Sequence, residues 1–200
     1  MLIKHTDPWI HYIWKDFLTF DEQKYLYDRC MSSLNIKAFK SKELFYKNGE
    51  IQNNAPIFGV AEDNAIAIKI EAQLHEISSQ LGYADKGKWN YQYNITKDFK
   101  EKQLFPHNDD YAKLGPLGAG MLKVLVYLGT GTDDYTDWGT KLYTEDNNID
   151  SFKKEIKFQP GTCFLFEANK YSYHGTQFNY GINGYRFVLG AEYVDKTLEK

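Results

Sequence analysis

His107 and Asp109 are a histidine and a carboxylate two residues apart, in a stretch that is predicted to form a strand. Side chains at positions i and i+2 of a strand point to the same face of the sheet. Both side chains can therefore reach one metal ion. Taken alone the pattern is weak, because a His-x-Asp triplet occurs by chance in many chains of this size.

A second imidazole comes from His174, sixty-seven residues after His107 and on another predicted strand. Two histidines and one carboxylate on one side of an iron ion leave three adjacent coordination positions open, which is the arrangement used by non-haem Fe(II) oxygenases. Asp110 is a competing carboxylate, but it lies on the opposite strand face from His107. His107, Asp109 and His174 are therefore the candidate metal ligands.

Arg186 follows His174 by twelve residues, on a strand that the turn at residues 179–184 is predicted to fold back as a hairpin. Arginine is always charged and presents a planar fork that matches a carboxylate. Inside a barrel it needs an anionic partner, because an unpaired buried charge is costly. An exposed Arg186 that pairs with a nearby acid is the alternative, and the spacing from His174 favours the inward position.

The order His107-x-Asp109, His174 and Arg186 resembles the Fe(II)/2-oxoglutarate-dependent oxygenase superfamily, and within it the prolyl-4-hydroxylase-like branch. Other segments resemble that branch as well, and together they cover most of residues 9 to 194. These segments are residues 16–22, 91–93, 122–128, 138–142 and 160–166. The combination is much more specific than any one segment.

The resemblance implies that His107, Asp109 and His174 hold Fe(II) and that Arg186 binds the distal carboxylate of 2-oxoglutarate. It implies an oxidoreductase in which 2-oxoglutarate and O2 are converted to succinate and carbon dioxide while an unactivated C–H bond is hydroxylated. The presence of Asp109 favours hydroxylation over halogenation, because related halogenases have a small residue at that place.

The chain departs from the branch at two positions. Thr140 stands where the family often has a second glycine, and Val188 stands where it often has a serine or threonine. The cosubstrate carboxylate is therefore expected to take its second hydrogen bond from a tyrosine, either Tyr93 or Tyr91. These two share a strand face, so alternation does not choose between them.

The prime substrate is left open by the sequence. The resemblance favours a peptidyl target such as proline, and a free amino acid or another small molecule is the alternative. Residues 36–54, rich in lysine, are interpreted as either a lid near the site or a solvated loop. Two other classes remain: a cupin-like metal enzyme without cosubstrate, which has no use for an inward Arg186, and a non-catalytic jelly-roll binding module, whose ligands need not converge.

The elements that must position these residues follow from hydrophobic periodicity. A strand is expected over residues 9–14, and a helix over 22–32 with Thr19 or Asp21 as its cap. A second helix is expected over 61–81, ended by Gly82. Short runs rich in tyrosine, valine and phenylalanine then predict eight strands. They cover residues 89–95, 104–109, 122–127, 140–143, 152–158, 162–167, 171–178 and 185–193.

Eight short antiparallel strands in about a hundred residues predict a mainly β fold of the α+β kind, a double-stranded β-helix or jelly roll with the two helices on one sheet. The chain of 200 residues is expected to form a single oxygenase domain over 1–200. Its helical support is placed at about residues 16–82 and its jelly-roll core at about 88–194.

Composition and hydropathy argue against nucleic-acid and membrane partners. The net charge is -3 and lysines are mixed with acids along the chain, so no basic stripe indicates nucleic acid. No apolar run is long enough to cross a membrane and no secretory signal begins the chain, so a soluble cytoplasmic protein is expected. Cys30 and Cys163 are interpreted as reduced core residues. The oligomeric state is not indicated.

Overall fold

The structure is a computed structural model that describes residues 1–33, 46–47, 50–51, 61–83, 86–97, 104–109, 121–131, 138–176 and 185–195. Within these ranges only the backbone is described at residues 33, 46–47, 50–51, 61–64, 88, 90–97, 104, 185–186 and 195. Two α-helices are found in the described residues, α1 (Phe20–Ser33) and α2 (Ala61–Gln80).

Twelve strands accompany them in the same described ranges. They are β1 (Leu2–His5), β2 (His11–Trp14), β3 (Tyr46–Lys47), β4 (Glu50–Ile51), β5 (Gly87–Lys97), β6 (Leu104–His107), β7 (Leu122–Leu128), β8 (Thr140–Tyr143), β9 (Phe152–Ile156), β10 (Cys163–Glu167), β11 (His174–Thr176) and β12 (Tyr185–Asp195). A short 3-10 helix, Ile149–Ser151, precedes β9.

Two antiparallel sheets form the body of the fold. The major sheet has the strand order β1-β2-β10-β7-β12-β5, and the minor sheet has the order β6-β11-β8-β9. Strands β3 and β4 pair with each other in a small third sheet. The chain is thus mainly β, and the predicted jelly roll with two N-terminal helices is confirmed.

Alternation along the major sheet separates two hydrophobic cores. One face of β7, β10 and β12 packs against both helices and contains Val124, Leu165 and Leu189. The other face packs against the minor sheet and contains Tyr127, Phe164 and Val188, together with Leu142 of β8 and Ile156 of β9. We call the first the helix-side core and the second the inter-sheet core.

Both predicted helices are found, but α1 runs over Phe20–Ser33 rather than 22–32, and α2 ends at Gln80 rather than at residue 81. At the start of α1 the Thr19 amide donates to the Glu22 carboxylate at 2.8 Å and the Glu22 amide donates to the Thr19 hydroxyl at 3.3 Å, which is a capping box. Thr19 rather than Asp21 is therefore the cap. Helix α2 buries Ile66, Ile70, Leu74 and Ile77 in the helix-side core and is followed by Gly82 at φ 76°.

Several predicted strand boundaries were wrong. The first strand was placed at residues 9–14, but the pairing begins at His11, and an additional strand, β1, precedes it. Strand β6 ends at His107, so Asp109 lies just beyond the strand rather than on it. Strand β11 begins at His174 rather than at residue 171, because residues 169–172 form a turn closed by hydrogen bonds between Asn169 and Ser172, and its predicted end at 178 lies outside the described residues.

Other predictions concern residues outside the described ranges or are settled by burial. Most of the stretch 36–54, the hairpin turn at 179–184 and Asp110 lie outside those ranges. Cys30 and Cys163 are buried and free, as expected. Among the described residues, neither helix combines the length and apolar character needed to span a bilayer.

Candidate metal centre

The three candidate ligands converge on one point. Ligand atoms of His107, Asp109 and His174 all lie within 4.8 Å of one another. The Asp109 carboxylate is 4.0 Å from Nε2 of His107 and 3.6 Å from Nε2 of His174. The side chains are therefore close enough together to bind a single ion.

Strand pairing explains the convergence. His174 on β11 is the direct cross-strand partner of His107 on β6, and the two ring centroids are 4.5 Å apart. Directly opposed residues of an antiparallel pair project from the same face of the sheet. Asp109 follows at the end of β6, where the chain leaves the strand and the carboxylate turns towards both rings.

Backbone carbonyls fix the orientation of both imidazoles. Nδ1 of His107 donates to the carbonyl of Phe105 at 2.8 Å, and Nδ1 of His174 donates to the carbonyl of Ser172 at 2.9 Å. A carbonyl can only accept, so each Nδ1 carries a proton, and the nitrogen left to present a lone pair in the neutral imidazole is Nε2. Metal-binding histidines are commonly oriented in this way.

Burial keeps His174 in the neutral form that a metal requires. Its residue is only 7% exposed, and the ring of Phe166 packs against it with centroids 4.7 Å apart. Burial is the largest cause that lowers the pKa of His174 to about 4, with His107 acting in the same direction and Asp109 opposing it. The imidazole is therefore an available ligand at neutral pH.

The remaining two ligands are open to solvent on one side. The His107 and Asp109 side chains are 32% and 25% exposed. Behind His174 the inter-sheet core is apolar and aromatic. The candidate centre is therefore shielded from water by the inter-sheet core on the side of His174 and is open to solvent on the side of His107 and Asp109.

Arg186 can be placed only by its strand position. It lies on β12 opposite Thr96 of β5. Val188, two residues on, is buried in the inter-sheet core. Alternation therefore assigns position 186 to the strand face of Val188, which is the face that packs against the minor sheet with its candidate metal ligands. The guanidinium is not among the described side chains, so its role remains a prediction.

The two tyrosines proposed to assist Arg186 fall on the other strand face. Tyr93 pairs with Leu189 and Tyr91 pairs with Ala191. Both partners are buried in the helix-side core. Because direct cross-strand partners share a face, this register gives no support to Tyr93 or Tyr91 as neighbours of Arg186.

Tyr127 is a tyrosine that the sequence analysis did not single out. It is fully buried on the inter-sheet face of β7, directly opposite Val188, and its hydroxyl donates to the Thr140 hydroxyl at 2.8 Å. The signal was present in the alternation of β7, since Tyr127 occupies the face opposite Val124 and Val126. What the sequence lacked was the register between β7 and β12.

Lys123 is a second residue that the sequence analysis missed. It lies four residues before Tyr127, on the same face of β7, and is nearly buried. Its ammonium forms an ion pair with Glu192 of β12 and lies 3.6 Å from the Asp109 carboxylate. A lysine in a strand is usually interpreted as solvent-facing, which is why composition alone did not reveal it.

Comparisons with solved structures identify the fold. A prolyl-4-hydroxylase from Pseudomonas putida has a TM-score of 0.63 at 14% identity, and the match covers 93% of this chain and 88% of that chain. The fold is that of the prolyl 4-hydroxylases. A truncated viral collagen prolyl hydroxylase from Paramecium bursaria Chlorella virus-1 has a TM-score of 0.62 at 15% identity, covering 95% and 92% of the two chains.

A structure of that viral prolyl hydroxylase as a 2OG complex has a TM-score of 0.55 at 16% identity, and the match covers 94% of this chain and 97% of that chain. No protein-family model matches the sequence, and no curated protein matches it. The likeness to prolyl 4-hydroxylases therefore concerns the fold, and chemistry must be argued from the site.

Proposed function

We propose that this protein is an Fe(II)- and 2-oxoglutarate-dependent dioxygenase that hydroxylates an unactivated C–H bond. The observation that carries the proposal is the convergence of two imidazole nitrogens and one carboxylate within 4.8 Å, in a prolyl-4-hydroxylase fold. The binding-module interpretation did not require these side chains to meet.

The donor set fits Fe(II) better than a structural metal. Two imidazoles and one carboxylate on one side of an iron ion would leave room beside it for a keto acid and for dioxygen. Bound there, the iron would supply the oxidising chemistry that couples 2-oxoglutarate decarboxylation to C–H hydroxylation. His107, Asp109 and His174 would hold it, and their own hydrogen bonds fix the Nε2 atoms towards it.

Arg186 would anchor the distal carboxylate of 2-oxoglutarate. Its strand position shares the inter-sheet face with Val188, whose direct partner is Tyr127. A guanidinium binds a carboxylate through two parallel hydrogen bonds. The phenol of Tyr127 has one proton, which the free protein donates to Thr140, and it would supply a third hydrogen bond by turning that proton to the carboxylate while the Thr140 hydroxyl donates to the phenol oxygen. We therefore assign the assisting role to Tyr127 in place of Tyr93 or Tyr91.

The inter-sheet core would keep water away from the reacting bond. Trp138, Phe158, Phe164 and Phe166 are all buried in it, and Phe166 contacts the His174 ring. Exclusion of water strengthens electrostatic interactions in a site and suppresses side reactions. The exposed sides of His107 and Asp109 leave one direction from which a substrate can approach.

A peptidyl side chain, with proline first, is the substrate class that we propose. Its support is that the similar structures are described as prolyl hydroxylases, one of them of collagen. A free amino acid or another small molecule is the alternative outcome of the same screen. We also propose that residues 1–200 act as one domain, since both helices share the helix-side core with the major sheet.

Succinate formation tests the reaction class. The purified protein with Fe(II), 2-oxoglutarate and a panel of proline-containing peptides and free amino acids is expected to release succinate and a hydroxylated product. His107→Ala and Asp109→Ala should each lower the rate by at least about 100-fold, because each removes a metal ligand. His75→Ala, an exposed histidine of α2, is the matched control and should leave the rate unchanged.

Each rival class predicts a different result. A cupin-like enzyme would bind metal but release no succinate from 2-oxoglutarate. A binding module would retain no metal. Succinate release that is unchanged in both ligand variants would show that the assigned site is wrong.

A further inference from the structure

Lys123 is a nearly buried cation beside the metal ligands. It is 7% exposed, although lysine is almost always found at the surface. Its Nζ lies 3.6 Å from Oδ2 of Asp109, the same oxygen that lies 3.6 Å from Nε2 of His174. The carboxylate thus faces a histidine and a fixed positive charge at equal distances.

The strand register brings this lysine to the site. Lys123 of β7 is the direct cross-strand partner of Glu192 of β12, and the two side chains form an ion pair. Their neighbours Val124 and Ala191 are buried in the helix-side core, on the opposite face. Lys123 and Glu192 therefore share the face that looks towards the minor sheet and its two histidines.

A lysine–glutamate ion pair can form at the protein surface, so pairing with Glu192 does not by itself require Lys123 to be buried. Removing an ammonium from water is costly, and a carboxylate partner offsets that cost only with good geometry. Glu192, whose side chain is 27% exposed, already provides one partner. The second contact of Lys123 is with Asp109, and at 3.6 Å it is an ion pair that is too long for a hydrogen bond. It connects the major sheet to the proposed metal ligand that follows β6, an edge strand of the minor sheet.

We propose that Lys123 is a positioning residue of the metal centre, with Glu192 anchoring its ammonium so that the ammonium fixes the orientation of the Asp109 carboxylate towards His107 and His174. The inference rests on the proposed function, because it assumes that Asp109 is a metal ligand. Carboxylate ligands are commonly oriented by such outer partners, whose loss typically weakens metal binding by about 10- to 100-fold.

Two physical effects of Lys123 have opposite signs. As a nearby positive charge it repels a metal cation, so its removal would tighten metal binding if repulsion dominated. As a partner of the Asp109 carboxylate it fixes the orientation of that ligand, so its removal would weaken metal binding if positioning dominated. The sign of the change in metal affinity therefore distinguishes the two.

The test is a titration of the metal-free protein with Co(II), a redox-stable substitute for Fe(II), followed by its visible absorption. Lys123→Met keeps the length of the side chain and removes the charge. We expect it to weaken Co(II) binding by about 10-fold or more and to alter the absorption bands. Lys141→Met is the matched control, because Lys141 lies on β8 beside β11 but faces the Phe152 ring, and it should leave both unchanged.

A double variant, Lys123→Met with Glu192→Met, separates positioning from the loss of an ion pair. It removes both charges of the Lys123–Glu192 ion pair, so no carboxylate at position 192 is left without its lysine. Its unfolding transition reports whether the fold is intact. Co(II) binding that stays weak in a folded double variant supports the proposal. Binding restored to that of the unmodified protein overturns it, as does Lys123→Met binding that is unchanged or tighter. Failure of the unmodified protein to bind Co(II) would instead contradict the proposed function.

Discussion

A side-chain hydrogen bond between Tyr127 of β7 and Thr140 of β8 joins the two sheets. The phenol of Tyr127 donates to the Thr140 hydroxyl at 2.8 Å, and both residues are buried. A buried hydrogen bond of this kind contributes about 1 kcal/mol to stability. The same phenol shares the inter-sheet face with position 186, where the cosubstrate carboxylate is proposed to bind.

Tyr127→Phe is expected to have two effects. It should lower the free energy of unfolding by about 1 kcal/mol, because the cross-sheet hydrogen bond is lost. It should also raise the KM for 2-oxoglutarate by about 10-fold, because the carboxylate loses one donor worth about 1.4 kcal/mol. Steady-state kinetics and urea unfolding measure the two.

Thr140→Val is the control for Tyr127→Phe. It removes the same hydrogen bond but keeps the phenol available to the cosubstrate. It should destabilise the protein to a similar extent and change the KM for 2-oxoglutarate less. Equal KM values for the two variants would show that Tyr127 acts only through the fold.

His11 is a buried histidine that makes stability depend on pH. It is inaccessible to solvent, its Nδ1 hydrogen bonds to the carbonyl of Trp9, and its ring stacks on His5 with centroids 5.1 Å apart. Burial is the largest cause that lowers its pKa below 6.5. Lys154 and His5 lower the pKa further, whereas the Trp9 carbonyl and Asp7 oppose the shift.

The direction in which stability changes with pH follows from how many protons the folded and unfolded states bind. Because the pKa of His11 is lower in the folded protein than in the unfolded chain, the unfolded state binds more protons as the pH falls through 6.5, and stability decreases. His11→Phe removes the titration and keeps a ring against Trp9 and Phe164. We expect the urea midpoint to fall less between pH 7.5 and pH 5 in this variant than in the unmodified protein. An equal fall would contradict the assignment to His11.

Gly161 lies in the turn that precedes β10 and helps to position that strand. It has a φ of 81°, and a Cβ atom there would lie 2.7 Å from the carbonyl oxygen of Leu18. The Leu18 amide also donates to the Gly161 carbonyl at 3.2 Å, which joins the turn to the start of α1. The close approach needs a residue without a side chain.

Gly161→Ala should therefore destabilise the protein more than Gly82→Ala. Gly82 has a similar φ of 76°, but a Cβ there would meet nothing within 4 Å. The left-handed conformation alone costs about 1–2 kcal/mol for alanine. The excess at Gly161, measured by urea unfolding, reports the collision with the backbone of Leu18. Equal losses would mean that the turn moves aside at no cost.

The fold has three layers: the two helices, the major sheet and the minor sheet. The helix-side core lies between the first two layers, and the inter-sheet core lies between the two sheets. Leu74 is fully buried in the helix-side core, while His174 of the proposed metal site contacts Phe166 of the inter-sheet core. Leu74→Ala should cost about 2–5 kcal/mol of stability. At temperatures where the variant is folded, Co(II) affinity should be unchanged.

Ile68→Ala is the control for Leu74→Ala on the same helix. Ile68 is 67% exposed, so its truncation should change stability by less than about 0.5 kcal/mol. Weakened Co(II) binding in folded Leu74→Ala protein would show that the two cores are coupled through the major sheet.

Local pattern was sufficient for much of the fold. The three- and four-residue spacing of Ile66, Ile70, Leu74 and Ile77 determined α2, because a helix brings such positions to one face. Period-two alternation and turn residues determined the strands of both sheets, apart from their ends and the added strand β1. The types and order of His107, Asp109 and His174 identified a candidate metal site without coordinates.

Tertiary structure decided what depends on register. Residues of β5, β7 and β12 that face one another are far apart in sequence, and a shift of one residue moves every side chain to the other face. Pairing across strands therefore placed Tyr127 opposite Val188, turned the strand positions of Tyr91 and Tyr93 towards the helices, and buried Lys123 beside Asp109. No local signal encodes these neighbours, because packing of the two sheets fixes them only when the whole chain has folded.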